Sequence, residues 1–373
     1  MARILYVATS DIHLHVFHRP YLRWLHEAGH EVDIAVERCA AYVFEGIGEY
    51  YALAFPRHLA SREHWATLRR LRGIIRNGRY DLVHCHTPLP SALVRLAAHG
   101  QRRHGLKVLY TAHGFHFFRG APWYYWATIF PAEYFLSRRT DGIVTINQDD
   151  CRYARDWLKC RRTYWIPGIG VDTVRFRPVS EVRKAELRHA LGFTAEDFLL
   201  VYVSEFIRRK NHAFLLNAAR ALLERVPNAR MVFLGAGELW AATRHGIEKM
   251  NLGNRVFCPG FREDVERFAA IADVGISSSR QEGLGLGLLE HMACGVPVVA
   301  TEGRGHRELV EDGVSGFLFA QGDTGQFVDR VARLHKDTAL RASMGAKSIA
   351  RAQDFAVERS LAAMQRVYGE FLD

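Results

Sequence analysis

The run Asp273–Thr301, DVGISSSRQEGLGLGLLEHMACGVPVVAT, constrains the fold more than any other part of the chain. Asp273–Ser277 is short and apolar enough to be a buried strand. Arg280–Gly287 is polar and studded with glycine, Leu286–Cys294 reads as a helix ended by Gly295, and Val296–Ala300 as a second buried strand. Such a βαβ unit brings a loop and a helix N-terminus to the carboxyl edge of a parallel sheet. Gly283, Gly285 and Gly287 let the backbone approach a ligand closely. The free N–H groups and dipole at the helix start favour an anion there. Glu282 and Glu290 bracket the loop with seven residues between them. A carboxylate only accepts hydrogen bonds, so the two acids suit hydroxyl-rich partners while the N–H groups suit phosphate. Diol, diphosphate and polyol together are the profile of a nucleotide sugar. The same spacing also fits a plain glycine turn flanked by two solvated glutamates.

At 373 residues, 49% hydrophobic and 24% charged, the chain is expected to form two soluble globular domains. A formal charge of +10 favours acidic partners: phosphates, nucleotides, nucleic acid or an anionic membrane face. The six cysteines are scattered without a CxxC pair, which points to reduced thiols in a cytoplasmic protein rather than a disulfide frame or a zinc site. The opening MARILYVATSD carries too short an apolar run for a signal peptide. No stretch approaches the ~18 apolar residues of a membrane span.

Taken in order, Arg3–Ala8 is a buried strand, Thr9–His13 a loop, Phe17–Ala28 a helix and Glu31–Val36 the second strand, with Tyr50–Phe55 a candidate third. This is the start of a doubly wound domain without a GxGxxG fingerprint. In Ser61–Arg76, Trp65, Leu68, Leu71 and Ile75 fall at helical spacing among five arginines; a surface helix packed on its own sheet and a membrane-lying helix both fit. Strands Asp81–Cys85 and Val108–Thr111 end in His86 and His113, with His116 beyond, where an open α/β sheet lines its ligand crevice. The aromatic run Ala121–Leu136, interrupted by Pro131 and Glu133, reads as a core helix, with an interfacial patch as the alternative. After the exit at Tyr164–Pro167, strand Phe198–Val203 restarts the βα alternation and leads to the basic loop Arg208-Arg209-Lys210.

These residues resemble the signature of retaining glycosyltransferase family 4, of the GT-B fold. Glu282-x7-Glu290 stands with FIRRKN, FLGAGE, VFCPGFRED and RELVEDGVSGFLF in the family's order. FHRPYLRWLHEAGHEVDIA, DLVHCHTPLPS, YTAHGFHFFRGAP, TINQDD and IPGIGVDT resemble its bacterial capsule, exopolysaccharide and O-antigen assembly branch. The resemblance implies two Rossmann-like doubly wound domains facing across a cleft: 1–168 on the acceptor side, 169–355 for the nucleotide sugar, and a terminal helix 356–373 crossing back. It implies that Glu290 holds the ribose hydroxyls and Glu282 the donor sugar's hydroxyls. The N–H groups of Gly283, Leu284, Gly285 and Leu286 would hold the diphosphate with Lys210, Phe261 the base, and His113 would lean on the sugar. One departure is Ser204-Glu205, where the family has Gly-Arg; Arg208 or Arg209 is the expected substitute for that phosphate-binding arginine.

The implied reaction moves a sugar with retention from a nucleotide-diphosphate donor to an acceptor hydroxyl. The branch suggests a UDP-sugar, with UDP-N-acetylhexosamine first, and a lipid-linked saccharide acceptor at the inner face of the cytoplasmic membrane. No metal, cofactor or nucleic-acid partner is expected. A sugar-nucleotide epimerase of the same plan and a non-catalytic nucleotide-sugar sensor are the rival readings.

Overall fold

The computed structural model describes residues 1–40, 42–56 and 61–372, which form two compact units. One comprises Met1–Ile169 with the segment from Glu358; the other is Gly170–Val357. Asp373, the last residue of the expected terminal helix, lies outside the described residues.

The first unit holds strands β1 (Arg3–Ser10), β2 (Glu31–Glu37), β3 (Ile47–Ala52), β4 (Leu82–His86), β5 (Lys107–Ala112), β6 (Gly142–Thr145) and β7 (Arg162–Trp165), in the spatial order 3-2-1-4-5-6-7. The second holds β8 (Phe198–Val203), β9 (Ala229–Leu234), β10 (Val256–Gly260), β11 (Val274–Ser277), β12 (Val298–Thr301) and β13 (Gly316–Phe319), in the order 10-9-8-11-12-13. Every ladder is parallel. Both units are therefore doubly wound, with the order reversing between β1 and β4 in one and between β8 and β11 in the other. Ligands of open α/β sheets bind just beyond the carboxyl ends at such reversals. Central strand β8, FLLVYV, is buried along nearly its whole length, which is why it reads as an unbroken apolar run.

The register of each central ladder is held from its amino end by one repeated device. Asp81 donates its N–H to the Arg3 carbonyl (2.9 Å) and accepts the Arg3 N–H on Oδ2 (2.7 Å). Asp141 does the same with Val108 (2.9 Å both ways), and Asp273 with Leu199 (2.9 and 2.8 Å). Two of these carboxylates also hold a guanidinium: Arg102 on Asp141 and Arg188 on Asp273, each at 2.7 Å.

Most element boundaries fall within two residues of expectation. The opening loop and helix do not. Ser10 caps a helix Asp11–Phe17 by accepting the His13 N–H, and His18 breaks it before a second helix, Arg19–Glu27. Pro20, lacking an N–H, cannot continue the first helix but suits the start of the second. β3 lies earlier than Tyr50–Phe55: Asp33 Oδ1 accepts the Glu49 N–H (2.8 Å) and draws that segment into the sheet, while Leu53 and Phe55 bury their side chains beyond the strand. Leu68, Leu71 and Ile75 face the core, but Trp65 is 74% exposed.

The core reading of the aromatic run holds for one face only: Trp126, Ile129, Phe130 and Tyr134 pack, partly buried, against the core. Helix Trp123–Ser137 runs through Pro131, and only Glu133, Leu136 and Ser137 are buried. Trp123 is 78% exposed, and Tyr124 and Phe135 about half exposed. A buried ion pair adds to that packing: Glu133 accepts both Arg95 amines (2.8 and 3.0 Å), whose guanidinium lies 4.4 Å over the Tyr110 ring.

The clamps differ in depth, which predicts different costs. Asp273→Ala strips the partner from a buried guanidinium and should lower stability by about 3–5 kcal/mol. Asp81 is exposed, so Asp81→Ala should cost about 1 kcal/mol. Urea unfolding of the two variants measures the gap, and equal losses would count against the role of burial.

Candidate functional site

In the second unit, chain from the ends of β8 and β11 meets at the strand-order reversal. Beyond β8 the chain makes a tight turn, Arg208–Lys210, which hydroxyls of the β8–β11 region fasten. Tyr202 OH and Ser278 Oγ both donate to the Lys210 carbonyl (2.9 and 3.1 Å), and Ser279 Oγ to the Arg209 carbonyl (3.3 Å). The turn thus sets Lys210 Nζ at 2.5 Å from Glu282 Oε1, with Arg209 Nη1 at 3.6 Å from Oε2. Burial works against a charged Glu282, but Lys210, then Arg209 and His306, outweigh it and hold the carboxyl down at about 2.

Gly285 sits at φ +107°, a left-handed conformation that favours glycine, and starts helix Leu286–Ala293 without a side-chain cap. The first N–H groups of a helix have no partner inside it. At Gly287 a Cβ would lie 2.6 Å from the Val203 carbonyl oxygen, so the helix start can rest directly on the end of β8 only without a side chain. A small pocket results, lined among others by Tyr202, Lys210, Ser277, Glu282, Gly285 and Leu286.

His306 also lines that pocket and was missed in the sequence. Its helix, Arg304–Leu309, lies in a stretch read only as a connection. Its Nδ1 donates to the Thr301 carbonyl (2.7 Å), and buried Nε2 has no hydrogen-bond partner. Burial lowers its pKa, with Glu282 and the bond to Thr301 opposing. The usable signal was a histidine in a glycine-bearing connection directly after a strand end.

The other expected residues divide. Gly283 and Leu284 are buried in the loop. Glu290 does not line this pocket; burial raises its carboxyl to about 8, with Arg175 opposing and Glu266 reinforcing the shift. Phe261, 59% exposed, follows the end of β10. Arg209 is committed to Glu282 and the Gln281 carbonyl, whereas Arg208 is exposed and has no ion-pair partner among the described residues. Glu205 is exposed too.

In the first unit, His113 follows β5 in a loop tied down by buried Asp150, which accepts the Phe115 N–H (3.1 Å) and Asn147 Nδ2 (2.9 Å). It joins a cluster of histidines from separate segments. His86 Nδ1 lies 3.3 Å from His113 Nε2, His13 Nε2 3.3 Å from His18 Nε2, and the His84 and His86 rings are 4.1 Å apart. Burial pushes all five imidazoles below their usual range, His13 to about 4 and His84 to about 3. Sequence reading brought His86 and His113 to strand ends; His13 and His18 carry no spacing signal. His116 is apart, edge-on to Tyr125. Thr87, next to His86, holds φ 64° and ψ 152°, a conformation nearly confined to glycine. A hydrogen bond between the Thr87 and Thr9 hydroxyls (2.7 Å) and one from Ser91 Oγ to the Thr87 carbonyl (2.5 Å) keep it there.

Comparison with known proteins follows this division. Residues 183–351 match the family described as Glycosyl transferases group 1, and residues 21–175 match Glycosyltransferase Family 4. A protein of Bacillus subtilis (strain 168) with the provisional name glycosyltransferase EpsD is 39% identical over 372 residues, spanning 100% of this chain and 97% of its own. The Escherichia coli UDP-Gal:alpha-D-GlcNAc-diphosphoundecaprenol alpha-1,3-galactosyltransferase is 26% identical, covering 80% of this chain and 78% of its own. Among solved structures, Anabaena Alr3699/HepE in complex with UDP and glucose superposes with a TM-score of 0.80 at 20% identity, covering 99% of this chain and 100% of its own.

The raised Glu290 pKa has a measurable consequence. The folded chain keeps this proton up to about pH 8, while the unfolded chain releases it near 4.5. Between those values folding takes up a proton, so stability falls as pH rises through the window. Glu290→Gln removes the titration. In nucleotide-free protein, its melting temperature relative to wild type should climb from about pH 5 to about pH 8. A pH-independent difference would mean that the carboxyl is already ionised in the folded chain.

Proposed function

The chain belongs to glycosyltransferase family 4, with the GT-B fold, in polysaccharide synthesis, and on that footing we propose that it transfers a sugar, with retention, from a UDP-sugar to a hydroxyl of a lipid-linked saccharide. The observation that carries the reading is the Lys210–Glu282 pair, with Arg209 beside it, at a glycine loop and helix start past the β8 and β11 ends. The E. coli relative's name supports the lipid-diphosphate acceptor, and the Anabaena complexes with UDP and UDP-glucose support the donor class.

The barrier lies in separating the anomeric carbon from diphosphate. Lys210 and the backbone N–H groups of Gly283 through Leu286 meet the charge that builds on the leaving oxygen, where fixed donors act most strongly. Arg208, exposed and without an ion-pair partner among the described residues, takes the phosphate contact that Glu205 removes, so the leaving charge is met without a metal ion. Glu282 stays ionised at any working pH, accepts hydroxyls of the sugar and steadies the oxocarbenium-like ring. The bond from acceptor oxygen to the anomeric carbon forms on the face that the diphosphate leaves. The acceptor's proton passes to a phosphate oxygen, which balances the exchange. Glu290, protonated while the site is empty, can donate to one ribose hydroxyl and accept from the other. Phe261 meets the base and His113 the donor sugar.

The surface of helix Trp123–Ser137 supports contact with an anionic bilayer. Its exposed aromatics stand beside Arg138 and Arg139, the latter 4.1 Å over the Phe135 ring. Aromatic rings with basic neighbours favour the headgroup layer. No helix among the described residues is long and apolar enough to cross a membrane.

The test is a panel of UDP- and GDP-sugars, scored for nucleotide release with and without membrane lipid extract. One UDP-sugar should give release that depends on the extract. Glu282→Gln should cut that turnover by about 10²-fold or more while UDP binding changes little. Donor turnover that ignores the acceptor, or full activity in the variant, would overturn the reading.

A further inference from the structure

We propose that His13, His18 and His113 form a binding site for one divalent transition-metal ion of the zinc class. Each offers one ring nitrogen, and these atoms all lie within 4.8 Å of one another. They come from three segments: the helix Asp11–Phe17, the break that follows it, and the loop after β5. In tetrahedral coordination with Zn–N of about 2.0–2.1 Å, neighbouring ligand nitrogens stand roughly 3.3–3.4 Å apart. The His13–His18 pair is already at 3.3 Å. Small side-chain rotations bring the third nitrogen to that spacing.

The surroundings prepare the lone pairs. His18 Nδ1 is 2.9 Å from Tyr6 OH, and nearby Tyr368 OH is 2.6 Å from His84 Nδ1 while His84 Nε2 is 2.8 Å from Thr111 Oγ1. The Tyr6 oxygen can accept from His18 Nδ1–H. That assignment leaves His18 Nε2 as an acceptor directed at His13. Metal-bound histidines are held in this manner through their second nitrogen. His86 stands behind His113 and has a buried Nε2 with no hydrogen-bond partner, so the fourth position falls to His86 or to water.

The donor set selects the ion. Three imidazoles and no carboxylate suit zinc, cobalt, nickel or copper rather than magnesium or calcium, which take oxygen. Because His113 cannot hold a metal and lean on a sugar at once, an occupied site should inhibit transfer; that clause alone rests on the reading of the reaction.

The experiment is titration of chelator-treated full-length protein with Co²⁺, followed by visible absorption. One equivalent should give the intense bands of a tetrahedral site, and Zn²⁺ should abolish them. His13→Gln and His18→Gln should weaken binding by about 100-fold or more, and exposed His245→Gln should leave it unchanged. Circular dichroism melts establish that each variant is folded, and the wild-type titration decides even where one is not. The absence of a saturating one-equivalent signal, or unaltered affinity in folded His13→Gln, overturns the proposal. Zinc should also slow sugar transfer in wild type. Metal binding without inhibition keeps the site and removes His113 from the reaction.

Discussion

Each sheet is referenced from its amino end by an aspartate that gives one hydrogen bond to the neighbouring strand and takes one back. A parallel ladder slipped by one residue would turn every side chain to the other face. The exchange by Asp81, Asp141 and Asp273 allows only one alignment, because the carboxylate and the N–H of the same residue must both find the same partner. The functional side chains stand at the opposite, carboxyl ends. Their relative positions there follow from strand lengths counted from these fixed starts.

On that frame the second unit sets two glutamates in opposite states within one βα turn. Glu282 is buried but faces Lys210 and Arg209, so its charge is compensated. Glu290, half-buried in the helix Leu286–Ala293, lies near Arg175 but also near Glu266, so desolvation wins and it keeps its proton. The difference arises from neighbours contributed by other segments. An anionic acceptor in the loop and a neutral donor-acceptor on the helix that follows give the turn two distinct kinds of grip.

Much of this was legible from residue order. The two doubly wound units and the glycine loop follow from periodicity, strand-end placement and the resemblance, whereas the ion pair between Lys210 and Glu282 came only with the fold. What escaped was set by tertiary neighbours. Trp65 sits at helical spacing yet faces solvent, because the sheet covers only Leu68, Leu71 and Ile75. The aromatic helix is core on one face only, because apolar content says how much surface could be buried, not how much of it a partner covers. Its ion pair against Tyr110 is invisible to hydropathy. His18 and His306 carried no motif, since each acquires its surroundings from strands far away in the chain.

Tyr368, in the segment after Glu358, hydrogen-bonds the buried His84 beside the histidine cluster. The first unit is therefore discontinuous in sequence, closed by the segment that follows the uninterrupted Gly170–Val357. No single cut between the two units can separate them without taking Tyr368 away from the histidine it meets.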